Sequence, residues 1–287
     1  MNQNSIDKMT EIIKFVLLLV FGILLMMPFI WMVSVGFDRT ANITMPFPPR
    51  LIPEEVASFN YGIVFENGRL IQSYINSGIV TVFSVSLQVG ASLLAGYAFS
   101  KGDFKFKRLL FILVLCTLMI PMEPRLIPLY TLFNSFNLLN TFWPLILPTV
   151  INGLLIFLCK QFFDQLPTTL REAAQIDGAS EFRIFFKVYL PLAGPIAATM
   201  VILSFIWSWN DFMWPLVVLN NQELHTVPLY LASFSLENGT SLGGLTMALA
   251  TVSILPIVVL YLFLQRYIIQ SIALSGGVKG GNKWVIR

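Results

Sequence analysis

The sequence predicts an all-α polytopic membrane protein with six transmembrane helices. Three observations predict it. The chain of 287 residues is 56% hydrophobic and only 11% charged, with a mean hydropathy of +0.76, outside the range of soluble domains. Its apolar residues gather in six runs, 15–37, 74–99, 109–132, 142–163, 195–219 and 245–265, each near the ~20 residues a helix needs to cross the hydrocarbon core. Its basic residues gather beside alternate runs, as the positive-inside rule expects. The runs must be helical, because an open sheet would leave backbone groups unpaired in lipid. The alternating strands of roughly ten residues that mark a membrane barrel do not occur in the sequence.

The first run follows Lys8 and Lys14, as in a secretory signal. Its apolar part is longer than the ~7–15 residues of a signal's apolar region, and no A-x-A site follows, so it reads as a retained span. The loop 38–73 holds several prolines and no long periodicity, and reads as an irregular, exposed segment rather than a separate domain. "SKGDFKFKR" (100–108) is a short basic turn between the second and third runs. The third run ends in "MIPMEPRLIP", with Glu123 and Arg125 expected near the outer surface. The fourth contains Pro144, Pro148 and Gly153, which predict a kinked or broken helix. The fifth ends in "WSWNDFMWPLVVLN", whose three tryptophans fall where an interfacial aromatic belt is expected. No internal repeat or linker divides the chain, which reads as one domain over 1–287.

Most of the 18 Lys and Arg residues fall on one side of this topology, and only Arg39, Arg50, Arg69 and Arg125 on the other. Both termini are therefore expected in the cytoplasm. Basic residues spread along membrane-proximal loops exclude a nucleic-acid face. The one histidine, His225, stands alone in the loop after the fifth run and is expected at the surface. Cys116 and Cys159 lie in apolar runs and read as buried small hydrophobes. There is no H-E-x-x-H, no G-x-S-x-G and no Cys/His cluster, so no metal or catalytic site is expected. An ion-coupled carrier acting alone usually holds an acid or histidine in mid-membrane, whereas the nearest candidates, Glu123 and Asp211, sit at run ends. No Walker A stretch is present either. Active transport would draw its nucleotide from another subunit.

One segment is unlike the rest. "EAAQIDGASEFRIFFKVYLP" (172–191) carries Glu172, Asp177, Glu181, Arg183 and Lys187 between two apolar runs. It reads, with the residues before it, as two short helices. Pro167 stops the fourth span, and Thr169 with Glu172 is spaced for a capping box. Leu170, Ala173 and Ala174 form a small apolar stripe. Gly178 sits where a helix end favours positive φ, and Ser180 can cap the second helix. Phe182, Phe185, Phe186 and Tyr189 are expected on one face. Such a segment suits either an interfacial helix or a knob for a cytoplasmic protein groove.

The same stretch resembles the signature loop of ABC-importer permeases: E-A-A, three residues, G, nine residues, then I-x-L-P. Here these are Glu172, Ala173, Ala174 and Gly178, then Val188 in place of Ile, Leu190 and Pro191. "MIPMEPRLIPLYTLFNSFNLLNTFWPLILP", "WSWNDFMWPLVVL" and "ALSGGVKG" are similar to the second permease of carbohydrate importers of the maltose-transporter type. The final "GNKWVIR" departs from that pattern, in which chains commonly end close to "GGVKG".

The resemblance implies the type I ABC-importer permease fold in a bacterial inner membrane. It implies a heterodimer with a second homologous permease, two ATPase subunits that bind ATP and Mg, and an extracytoplasmic solute-binding protein. No cofactor and no catalytic residue is implied in this chain. The coupling loop 164–194 would meet the ATPase through Glu172, Ala173, Ala174, Asp177, Gly178, Ala179, Phe182, Arg183, Leu190 and Pro191. The tail residues Gly276, Gly277, Val278, Lys279 and Gly280 would touch the ATPase dimer, and Asn238 and Gly239 would face the binding protein. Transport would proceed by alternating access. The implied substrate is a carbohydrate, most simply an oligosaccharide, while polyols and glycerol phosphates use related permeases and stay open. Asn152, Ser204, Trp207, Ser208 and Asn210 have the chemistry to line a sugar path, but helix–helix hydrogen bonding and an interfacial belt account for each of them as well. No substrate-binding residue is assigned.

Overall fold

The structure is a computed structural model that describes residues 3–66, 68–238 and 242–276. Its helices are α1 (Gln3–Gly36), α2 (Phe59–Glu66), α3 (Gly68–Lys101), α4 (Lys107–Cys116), α5 (Met122–Ser135), α6 (Trp143–Ile146) and α7 (Gly153–Asp164). There follow α8 (Thr169–Ile176), α9 (Glu181–Ile184), α10 (Leu190–Leu192), α11 (Gly194–Asn210), α12 (Met213–Val218), α13 (Val227–Asn238) and α14 (Gly243–Gly276). Among the described residues the only extended pairing is one isolated antiparallel bridge, Asp38 with Val56.

Four segments are long and apolar enough to cross a membrane: Met9–Gly36, Gly68–Lys101, Trp143–Asp164 and Gly243–Phe263. Two more qualify as bent pairs, Lys107–Met119 with Met122–Ser135 and Glu181–Leu192 with Gly194–Asn210. The count of six agrees with the sequence, but three runs are not straight helices. The third turns by 104° where Ile120 and Pro121 take extended backbone. The fourth is broken as its prolines predict, through a 3-10 turn at Leu147–Thr149 and an extended Asn152. The fifth ends at Asn210, because Asp211 is extended and α12 begins separately. The sequence run 195–219 joined these two pieces only because both are apolar.

The chain divides into two compact units, Met1–Ile71 with Tyr230–Leu255 and Gln72–Leu229 with Pro256–Arg287. In the first, the loop after α1 is not the irregular exposed segment expected. It holds a 3-10 turn at Thr40–Asn42 and the helix α2, with Asp38, Ala41, Asn60 and Val64 buried. Asn60 Nδ2 donates to the Gly36 and Asp38 carbonyls at 3.0 and 3.3 Å, and its Oδ1 accepts from Asn42 Nδ2 at 2.6 Å. The Asp38 carboxylate accepts from Thr40 N, Thr40 Oγ1 and Glu54 N at 2.7–3.0 Å. Polar residues pinning a loop leave no hydrophobic periodicity, so the pattern of apolar residues could not reveal it.

In the second unit, α3 carries a buried polar stripe, Ser73, Ser77, Thr81, Ser84, Gln88 and Ser92. The spacing of three or four puts them on one helix face, and polar groups in a span turn toward protein rather than lipid. Val80 on the same helix joins a cluster with Phe133, Leu145, Trp214 and Val218. Leu93 and Tyr97 join a second cluster with Leu155, Cys159 and Phe163 of α7 and Met200 of α11. At Gly96 the α7 backbone comes so close that a Cβ would lie 2.7 Å from Cys159 Sγ and 3.0 Å from Lys160 N. Small residues permit such contact between spans. Three side-chain placements differ from expectation. Cys116 is exposed while Cys159 is buried. His225 is buried, because Asn76 Nδ2 on α3 draws in its carbonyl at 3.0 Å. Trp209 and Trp214 are buried instead of forming a belt, and Trp207 alone of the three is exposed.

Two predictions follow from this packing. Burial raises the pKa of Asp38, but the hydrogen bonds from Glu54 and Thr40 outweigh it and hold the carboxyl below its ordinary value of 3.8. Its stabilisation is therefore complete above that value and is lost as pH falls through the folded pKa. Asp38→Asn should cost about 1–3 kcal/mol at neutral pH, and the difference from wild type should shrink in thermal unfolding carried toward about pH 3. Gly96→Val should cost about 1–3 kcal/mol by overpacking, and Cys159→Gly in the same chain should restore part of it.

Candidate functional site

The polar segment after α7 is held on one side and open on the other. Pro167 ends the approach, with the Leu166 carbonyl taken by Lys101 Nζ at 2.6 Å and the Pro167 carbonyl by Tyr189 Oη at 3.4 Å. The expected Thr169–Glu172 capping box does not form. Thr168 is the N-cap residue, its backbone is helical (φ −69°, ψ −24°) and no side chain caps the end. A box needs extended geometry at the cap so that its oxygen can reach back to the first turn. Gly178 takes φ +76° as expected. With Ala179 N donating to the Ala174 carbonyl and Gly178 N to that of Gln175, both at 3.0 Å, it closes α8 in a Schellman motif. Ser180 is extended and starts α9, but its side chain makes no cap bond.

Glu181 joins the pieces. Its carboxylate accepts from Arg171 Nη2 at 2.5 Å, Arg171 Nε at 3.1 Å, Gln175 Nε2 at 2.9 Å and Tyr97 Oη at 3.0 Å. One carboxylate thus ties α8 to α9 and both to the end of α3. The pairing raises the Arg171 pKa above its ordinary value against the opposing effect of burial. In the sequence Glu181 and Arg171 stand only as charges among several, and nothing there marks Gln175 or Tyr97. Arg171 and Glu181 are separated by a left-handed glycine, outside the i,i+3 and i,i+4 spacing that makes helix pairs legible.

Phe182, Phe185, Phe186 and Tyr189 do not share one face. Residues Phe185–Tyr189 form a π turn, which advances fewer degrees per residue than an α turn. Phe185 and Tyr189 go inward with Ile184, meeting Tyr97 at ring distances of 5.3 and 5.0 Å. Phe182, 73% exposed, and Phe186 go outward. Of the other residues expected to couple, Glu172, Ala173, Asp177, Gly178, Arg183 and Pro191 are exposed. Ala174, Ala179 and Leu190 are half-buried against the inner cluster. Ile176, not singled out from sequence, is 87% exposed. The outward face is therefore apolar at Ile176 and Phe182 and charged at Glu172, Asp177 and Arg183.

The polar residues weighed for a sugar path are engaged within the protein. Asn152 Oδ1 accepts from Leu154 N and Leu155 N at 3.0 and 3.2 Å, capping α7. Ser204 Oγ donates to Gln88 Oε1 at 2.6 Å, Ser208 Oγ to Thr81 Oγ1 at 3.4 Å, and Asn210 Nδ2 to the Ile206 carbonyl at 2.9 Å. Among the described residues no group of three His, Cys, Asp or Glu side chains could hold a metal ion. Asn238 ends α13 and Gly276 ends α14, while Gly239, Gly277, Val278, Lys279 and Gly280 lie outside the described residues.

Fold and loop together define a multi-pass helical membrane protein with one polar segment tied inward and open outward. Residues 88–274 match the family described as the binding-protein-dependent transport system inner membrane component, and the chain belongs to that family. It is 37% identical over 240 residues to the arabinooligosaccharides transport system permease protein AraQ of Halalkalibacterium halodurans, covering 83% of this chain and 84% of that one. It is 30% identical over 279 residues to the lactose transport system permease protein LacG of Rhizobium radiobacter, covering 95% and 97%. Among solved structures it matches a chain of a bacterial ABC transporter involved in the import of the acidic polysaccharide alginate. The TM-score is 0.79 at 26% identity, over 93% of this chain and 99% of that one.

Removing the charge on Glu181 should loosen the loop without unfolding the spans. Glu181→Gln should speed amide exchange over residues 169–184 about fivefold, the effect of ~1 kcal/mol for a well-formed, partly exposed pair. Exchange in α3 and α7 should be unchanged.

Proposed function

We propose that this chain is a transmembrane permease subunit of an ATP-driven, binding-protein-dependent importer of carbohydrate, with an oligosaccharide as substrate. The observation that carries the coupling part of this reading is the two-sided loop 164–194. Its inner face is fixed by Glu181, Tyr189 and Phe185, and its outer face presents Ile176 and Phe182 among charges. A short helix with an exposed apolar crest suits insertion into a groove on another protein. The substrate class is supported by the relatives named for arabinooligosaccharide and lactose transport.

In this mechanism the chain pairs with a second homologous permease, and two ATPase subunits bind ATP and Mg. Glu172 makes a charged contact with the ATPase, while Ala173, Ala174 and Gly178 allow close approach and Asp177, Ala179, Phe182, Arg183, Leu190 and Pro191 complete the coupling segment. Gly276, Gly277, Val278, Lys279 and Gly280 contact the ATPase dimer, and Asn238 and Gly239 face the solute-binding protein. The chain lies in a bacterial inner membrane with both termini in the cytoplasm, in keeping with its lysines and arginines. ATP binds the closed ATPase dimer better than the open one, and that difference in affinity shifts the permease pair between inward- and outward-open states. Because α8 and α9 share one carboxylate with α3, displacement of the loop is passed directly to a span.

Phe182→Asp and Glu172→Ala change side chains that face outward, so the fold should survive both. Phe182→Asp should reduce co-purification with the ATPase and solute uptake by tenfold or more, the loss of an aromatic anchor worth ~2 kcal/mol, and Glu172→Ala should weaken both less. Ion-gradient-driven flux through the purified chain alone, with no ATPase, would overturn the proposal.

A further inference from the structure

A cavity away from the docking loop opens where α3, α4 and α7 meet. It has a volume of about 350 Å3 and is lined by Phe99, Ser100, Lys107, Arg108, Phe111 and Lys160, a size at the lower end of small-molecule sites. Its lining mixes two chemistries. Phe99 and Phe111 are aromatic, with ring centroids 5.3 Å apart. Lys107, Arg108 and Lys160 are cationic. Lys107 Nζ donates to the Ser100 and Gly102 carbonyls at 3.2 and 2.7 Å, bonds that fix the ammonium without cancelling its charge. Lys160 pairs with Asp164 at 2.6 Å and lies 5.2 Å from the centre of the Phe111 ring. Among the described residues no carboxylate pairs with Arg108. One acid therefore offsets one of three cations, and Asp103 in the same turn does not line the cavity. Beside it, Leu109, Leu110 and Leu113 of α4 are exposed.

We propose that this cavity binds the phosphodiester headgroup of an anionic phospholipid, with the acyl chains lying along α4. Surplus positive charge answers the phosphate, and basic pockets between spans on the cytoplasmic side take such headgroups. The aromatic rings of the lining and the exposed leucines of α4 answer the apolar part, which a free anion lacks. The inference rests on the cytoplasmic placement of the α3–α4 turn, and is independent of the ATPase docking proposed for Phe182.

The test uses the full chain in detergent, titrated separately with phosphatidylglycerol, phosphatidylcholine and inorganic phosphate, and read by native mass spectrometry and thermal unfolding. Phosphatidylglycerol should be retained and should raise the unfolding temperature, and the other two should do neither. Arg108→Gln should weaken phosphatidylglycerol binding about tenfold, the loss of one charge-assisted hydrogen bond to the phosphate. Lys105→Gln, in the same turn but off the lining, removes no such bond and should change it less than about twofold. Equal losses in the two variants would reduce the site to diffuse attraction and overturn the proposal. So would inorganic phosphate binding as well as the lipid, or no preference for phosphatidylglycerol over phosphatidylcholine. Phe182→Asp should leave lipid binding unchanged, so the docking reading and this one can fail separately.

Discussion

Helices that break inside a membrane must find partners for the backbone groups they free, because lipid supplies none. The core of this protein is organised around that requirement. Where the fourth span gives way at its prolines, Gln88 Nε2 meets the Thr149 carbonyl at 2.9 Å and Trp214 Nε1 meets the Pro144 carbonyl at 2.7 Å. Asn152 then restarts the helix by accepting from two N–H groups of α7. Past the end of α7, Lys101 takes the Leu166 carbonyl. In the fourth span each of these breaks is closed by a side chain from another element or by a cap, so its bends fix neighbours to one another. On the polar stripe of α3, Gln88 serves the broken span, while Ser77 Oγ accepts from Val227 N at 2.8 Å and Thr81 Oγ1 from Ser208 Oγ at 3.4 Å. Ser204 completes the arrangement by donating to the other end of the Gln88 amide.

The sequence made the membrane class, the number of spans and the break in the fourth legible, since each rests on composition, run length or proline. It placed the polar loop, its division by Gly178 and the stop at Pro167. It did not reveal the bend at Ile120–Pro121, because the apolar run 109–132 continues through it. A run of hydrophobic residues reports that a segment avoids water, and says nothing about its direction. It also misjudged side chains whose position depends on long-range partners. His225 is buried by Asn76 from α3, and Trp214 by a carbonyl of α6, neither of which is near in sequence.

The loop shows the same division at smaller scale. Gly178 needs left-handed backbone, and its residue type announces that. Glu181 could not announce its role, since its partners come from α8 and α3 across a turn and across the chain. The aromatic positions were assigned by an α-helical period that the π turn at Phe185–Tyr189 interrupts. A period inferred from sequence assumes one helix type throughout, and a single wider turn moves Tyr189 away from Phe182.

That wider turn has a consequence for how the segment can change over generations. Without it, one aromatic stripe would serve both the interior and the exterior, and any substitution that suited a new neighbour would disturb the fold. With it, Phe185 and Tyr189 answer to the interior while Ile176, Phe182 and Phe186 answer to whatever lies outside. A change in the outer set removes little buried contact, whereas a change at Phe185 or Tyr189 opens the interior. The segment can therefore alter its outward chemistry at little cost to the stability of its own protein.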